Sequence, residues 1–183
     1  MSKRTIGLIA VLIVITGVLL AIAVSPQKQT QPKLTPIVAT PTPAMQSILM
    51  LSPNPLIVSS PSAKVDVNID TKENLATAVQ LEFAFDPKLI TNIEITPSNF
   101  FENPVVLIKN IDMENGKISY AVGISPVGVA KKGMGTVATI SFDLNMKPGE
   151  KTEITPLPKT MITAKDIPSS VLKQASGTTI TFQ

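Results

Sequence analysis

Apolar residues recur at every second position in short runs, and Pro, Gly, Asn or Asp closes each run. That period suits a half-buried strand, whose successive side chains point to opposite faces, and it suits no helix. In Lys64–Asp70, Val65, Val67 and Ile69 fall on one face, with Lys64, Asp66, Asn68 and Asp70 on the other. The same alternation runs through Val79, Leu81, Phe83 and Phe85, then through Ile118, Tyr120, Val122 and Ile124. It returns in Ala138, Ile140, Phe142, Leu144 and Met146, and finally in Ile180 and Phe182. Weaker runs at Ile48–Leu51, Leu56–Val58, Ile90–Ile95, Val105–Lys109 and Thr152–Thr155 bring the expected total to about nine strands. Helical turns are expected at most at Ser169–Gln174 or Pro87–Ile90, so the predicted class is an all-β sandwich. Asn115-Gly116 before an alternating run predicts a hairpin with a primed turn.

The stretch LEFAFDPKLI, residues 81–90, fixes where one strand must end. Proline donates no hydrogen bond to a ladder and holds its predecessor extended, so the strand closes at Asp86-Pro87 and the chain turns a corner. Leu89 and Ile90 then bring apolar surface back to the core.

Composition excludes much chemistry. Histidine and cysteine are both absent, which removes the usual general base, the usual transition-metal ligands, thiol nucleophiles and disulfides. The net charge is +3, with a pI near 9.2, but the excess is local. Lys3, Arg4, Lys28 and Lys33 stand without an acid in residues 1–47; beyond them 12 lysines face 13 acidic residues. Arg4 is the single arginine, so the folded part lacks the forked donors that read phosphates and base edges, and nucleic acid is not an expected partner.

Thr5–Val24 carries no charge, and twenty residues at about 1.5 Å each span roughly the 30 Å of a bilayer core. Lys3 and Arg4 ahead of it predict an N-in, C-out topology in the cell membrane, with an extracellular domain. Residues 1–24 are expected to form an uncleaved anchor. Ala21-Ile-Ala23 also has the small-x-small form of a signal-peptidase site, and cleavage after Ala23 would secrete the protein instead. Residues 25–47, rich in Pro, Thr and Gln, read as a linker able to reach roughly 70 Å as polyproline II. Residues 48–183 are the expected domain.

Several motifs in this order resemble cohesin domains, the jelly-roll β-sandwiches that dock calcium-loaded dockerin modules. The stretch Phe85-Asp86-Pro87 followed by Leu89 and Ile90 resembles the family's YDP-x-x-L signature, with phenylalanine for tyrosine. Val65-x-Val67-x-Ile69 precedes it, NGKISYAV at 115–122 resembles the strand after an Asn/Asp-Gly turn, and GMGTVATISFDL at 133–144 resembles the ATI-x-F strand. The resemblance covers about Ile48 to Phe182. It implies a non-enzymatic protein-binding module with no cofactor of its own, any calcium belonging to a dockerin-like partner. Type I members often carry Asn and Asp on the outward face before the Asp-Pro, where this chain has Ala78 and Gln80.

The expected partner surface is an outward sheet face formed by Gln80, Glu82 and Ala84 with Ser119, Ala121 and Gly123. Two other readings remain open: polysaccharide attachment through the related cellulose-binding architecture, and a structural envelope spacer. Sugar binding calls for exposed rings, yet tryptophan is absent, and only Phe100 and Phe101 fall outside inward parity. Asp66, Asn68 and Asp70, or Asp112 and Glu114, could offer oxygen ligands to calcium, but neither set has the spacing of a calcium loop; solvated surface is the expectation. No pair of carboxylates is marked out for catalysis, and no metal or catalytic residue is assigned.

Overall fold

The computed structural model describes residues 45–183 together with Gly7, Ile15 and Thr16. The chain divides into two compact units, Met1–Thr40 and Pro41–Gln183. Of the first, Gly7, Ile15 and Thr16 are helical. The rest of the expected anchor Thr5–Val24, and most of the linker, lie outside the described residues. Among the described residues no helix is long and apolar enough to cross a membrane.

The second unit holds twelve strands: β1 (Ser47–Ser52), β2 (Leu56–Val58), β3 (Ser62–Asp70), β4 (Ala76–Ala84), β5 (Ile90–Pro97), β6 (Val105–Asp112), β7 (Lys117–Gly123), β8 (Met134–Leu144), β9 (Lys151–Pro156), β10 (Met161–Ala164), β11 (Leu172–Ser176) and β12 (Thr178–Phe182). They build a five-stranded sheet, β11-β1-β3-β8-β5, and a seven-stranded sheet, β2-β12-β9-β4-β7-β6 with β10 beside β4. The inward residues of both sheets form one core, with Val65, Val67, Ile69, Ile140 and Phe142 from the first and Val79, Leu81, Phe83, Ile118, Tyr120 and Ile180 from the second. Each inward set is the one that the alternation marks. One edge of each sheet is a parallel pair, β11 with β1 and β2 with β12.

Three expectations need correction. Twelve strands stand where about nine were expected: all ten runs named from the sequence are strands, and β10 and β11 were missed. Met161–Ala164 buries only Ile162 and Ala164, too short a run to register as periodic. Leu172–Ser176 overlaps Ser169–Gln174, the stretch expected to make a helical turn, and it is extended because it pairs with β1. The third correction concerns Asn115-Gly116. Asp112 pairs with Lys117, so the β6–β7 loop has four residues, and within it Gly116 alone has a positive φ, +62°. A primed hairpin turn closes a two-residue loop, and the type I′ turn that Asn-Gly favours needs two such residues. Here the Asp112 carboxylate instead accepts from the N–H groups of Glu114 and Asn115, at 3.1 and 2.9 Å, and from Asn115 Nδ2 at 2.7 Å.

The Asp86-Pro87 corner is pinned from several sides. Asp86 Oδ1 accepts from Lys88 N at 2.9 Å, and its carbonyl accepts from Ile90 N at 2.9 Å. Phe85 N donates to Gly116 O at 2.9 Å, which fastens the end of β4 to the β6–β7 hairpin. Asn145 N reaches Leu89 O at 2.9 Å, holding the corner to the end of β8.

Tyr120 sits inside the core with no exposed surface, and its hydroxyl has no hydrogen-bond partner among the described residues. Burial pushes its pKa up to about 12. A desolvated hydroxyl without a partner costs roughly 1–3 kcal/mol, so Tyr120→Phe is expected to raise stability by about 1 kcal/mol. Denaturant unfolding of both proteins checks this, and a loss of stability would mean that the hydroxyl has a partner in solution.

Candidate docking face

Residues directly opposed in an antiparallel ladder point to the same side of the sheet, so the registers of β10, β4, β7 and β6 define the outward face as a grid. One row reads Thr163, Ala78, Gly123, Val105 and the next Met161, Gln80, Ala121, Ile108. A third holds Glu82, Ser119 and Asn110, and a fourth Thr155, Ala84, Lys117 and Asp112. Of the six residues expected from the sequence, four form two direct cross-strand pairs, Gln80 with Ala121 and Glu82 with Ser119, while Ala84 stands opposite Lys117 and Gly123 opposite Ala78.

The centre of this face is flat and its flanks are apolar. Ile108 is 43% exposed on one side and Met161 40% on the other, with Val105 37% exposed in the next row. These three were not singled out from sequence. Val105–Ile108 is a continuous apolar run without alternation, because the ladder between β6 and β7 slips between Val106 and Ile108 and leaves Leu107 as an extra residue. Met161 belongs to the missed β10. Part of the flatness serves packing: a Cβ at Gly123 would stand 2.9 Å from Thr77 O and 3.0 Å from Ala78 Cβ.

Ala121 is only 6% exposed and Gly123 is buried, and Glu82 also departs from the open surface that its parity suggests, being 5% exposed. The cover comes from Leu157–Thr160, four residues that stand opposite two of β4, Leu81 and Glu82, between the paired positions Pro156 with Phe83 and Met161 with Gln80. Leu157 N and Thr160 Oγ1 donate to Glu82 O at 2.7 and 2.9 Å, while Glu82 N donates to Thr160 Oγ1 at 3.1 Å. The Glu82 carboxylate takes Lys117 Nζ at 2.9 Å, Ser119 Oγ at 2.9 Å and Gln80 Nε2 at 3.3 Å. Burial alone would raise its pKa; the hydrogen bonds from Lys117, Ser119 and Gln80 outweigh it and hold the carboxyl below its usual range.

The folded-state pKa of Glu82 is thus depressed. Its stabilisation is present above the unfolded value, near 4.3, and is lost as pH falls through the folded value. Glu82→Gln is expected to cost about 2 kcal/mol at neutral pH, the scale of buried charge-assisted hydrogen bonds. The gap from the parent should close as the pH is lowered below 4. Urea midpoints of both proteins between pH 3 and 7 measure it, and a constant gap would contradict the assignment.

The oxygen groups considered for calcium are engaged elsewhere. Asp66 accepts from Thr139 Oγ1 at 2.7 Å and Asn68 from Thr136 Oγ1 at 2.8 Å, while Asp70 pairs with Lys72 and Asp112 closes its own loop. Among the described residues no three acidic groups gather at one point. Phe100 and Phe101 are both buried, packed edge to face with centroids 4.9 Å apart.

The two-sheet sandwich is cohesin-like in fold. Solved structures similar to it include the third cohesin ScaC of Acetivibrio cellulolyticus, in complex with the ScaB dockerin, at 18% identity and TM-score 0.62 over 75% of this chain and 99% of that one. CaCohA2 from Clostridium acetobutylicum matches at 16% identity and TM-score 0.62, over 75% and 91%. A non-cellulosomal cohesin from the archaeon Archaeoglobus fulgidus matches at 12% and 0.58, over 75% and 91%. No family model matches the chain, and no curated protein does.

Proposed function

We propose that this protein is a non-enzymatic cell-surface interaction module. Thr5–Val24 anchors it, residues 25–47 act as a stalk, and the sandwich docks a protein partner through the β10-β4-β7-β6 face. The observation that carries the reading is the grid itself, a flat strip at Gln80 and Ala121 between the exposed apolar side chains of Ile108 and Met161. A polar row with Glu82, Ser119 and Asn110 borders it. Exposed apolar side chains bordered by polar ones are the anatomy of protein interfaces. The cohesin ScaC, which shares the fold, was solved with a dockerin, and a dockerin-type partner bringing its own calcium is the partner proposed here. Polysaccharide attachment finds no ring platform: six of the seven aromatic side chains are buried, and Phe182 is half-buried against the core.

The test immobilises the full chain in detergent micelles and passes the source cell's envelope extract over it with calcium and then with chelator. Retention of a discrete protein released by chelator supports the reading. Retention of no protein in either condition overturns it.

A further inference from the structure

Beside Glu82 lies a cleft of about 260 Å³ lined by Glu82, Lys117, Leu157, Pro158 and Lys159. Its chemistry is unbalanced. Two lysines share it with one carboxylate, and Glu82 is already occupied by Lys117, Ser119 and Gln80. Lys159 has no ion pair among the described residues, and it is held at the cleft by the turn in which Thr160 N donates to Leu157 O at 2.9 Å. One positive charge is therefore left over. Leu157 and Pro158 supply an apolar wall beside that charge, with Lys159 itself exposed.

We infer that this cleft is an anchor subsite for an acidic side chain of the docked protein, its carboxylate set between Lys117 and Lys159 and its methylene stem against Leu157 and Pro158. The inference rests on the docking reading and deepens it. The cleft adjoins the polar row of the grid, so a partner seated across Gln80 and Ala121 would pass over it. Like-sign repulsion from Glu82 is offset by the Lys117 ammonium, which pairs with that carboxylate at 2.9 Å. A partner with a basic group at this point would be rejected by Lys159, so the cleft selects as well as holds.

The probes are acetyl-glutamate methylamide, its glutamine counterpart and glucuronate, titrated into the isotope-labelled full chain in micelles and followed by NMR. With the glutamate probe, saturable shifts are expected at Glu82, Lys117 and residues 157–160. Lys159→Gln, a change at an exposed side chain, should weaken this binding about fivefold while leaving the remaining spectrum in place. Equal shifts with the neutral glutamine probe, or no weakening in Lys159→Gln, would overturn the inference. Equal or tighter binding of glucuronate would overturn the assignment to a protein side chain. Because no partner is needed, these outcomes are independent of whether the capture experiment retains a protein.

Discussion

Gly116→Ala is expected to destabilise the sandwich by about 3 kcal/mol, the combined scale of a left-handed residue given a Cβ and of a forced backbone shift. Gly116 has φ +62°, and an added Cβ would stand 2.2 Å from Phe85 O and 2.9 Å from Pro87 Cδ. Neither neighbour can move freely. Phe85 N is bonded to Gly116 O, and Pro87 begins the turn that Asp86 closes. The β6–β7 hairpin and the Asp-Pro corner are thus one joint, and the alanine would open it. Thermal and urea unfolding of the variant measure the effect; a loss under 1 kcal/mol would show that the joint is not tight in solution.

A second large effect is expected on docking. Replacing Ile108 and Met161 together by aspartate removes both apolar flanks of the strip and puts two charges where a partner must desolvate them. Buried apolar anchors at interface centres are each worth about 1–2 kcal/mol or more, so affinity for the captured protein should fall about 100-fold. Both side chains are roughly two-fifths exposed, so the fold should tolerate the change, and an unchanged unfolding midpoint is the control. Equal affinity in the double variant would move the docking site off this face.

How much of this was legible in the sequence depended on parity. Where apolar residues alternate, as in Val65–Ile69 and Val79–Phe83, both the strand and its buried face could be read. Alternation was silent where pairing, rather than local pattern, makes the strand: Leu172–Ser176 is extended because β1 lies beside it, and Met161–Ala164 because β4 does. Parity also placed Gln80, Glu82, Ser119 and Ala121 together correctly. It could not show that Leu157–Thr160 would fold over Glu82, since that cover comes from about 75 residues further along the chain. Nor could it select Ile108, whose side follows from a slip in the ladder at Leu107. Phe100 and Phe101 looked like exceptions to the core because they lie in a connection; the core takes them both.

The most direct test of the docking face is photo-crosslinking from two positions on opposite sides of the sandwich. Benzoylphenylalanine replaces Asn110, on the outward face of β6, in one full-length protein, and Ser141, exposed on the outer face of β8, in another. Each is irradiated with the captured partner bound. A crosslinked product from position 110 and none from position 141 is the expected result. A product from position 141 alone would place the partner on the five-stranded sheet and contradict the assignment.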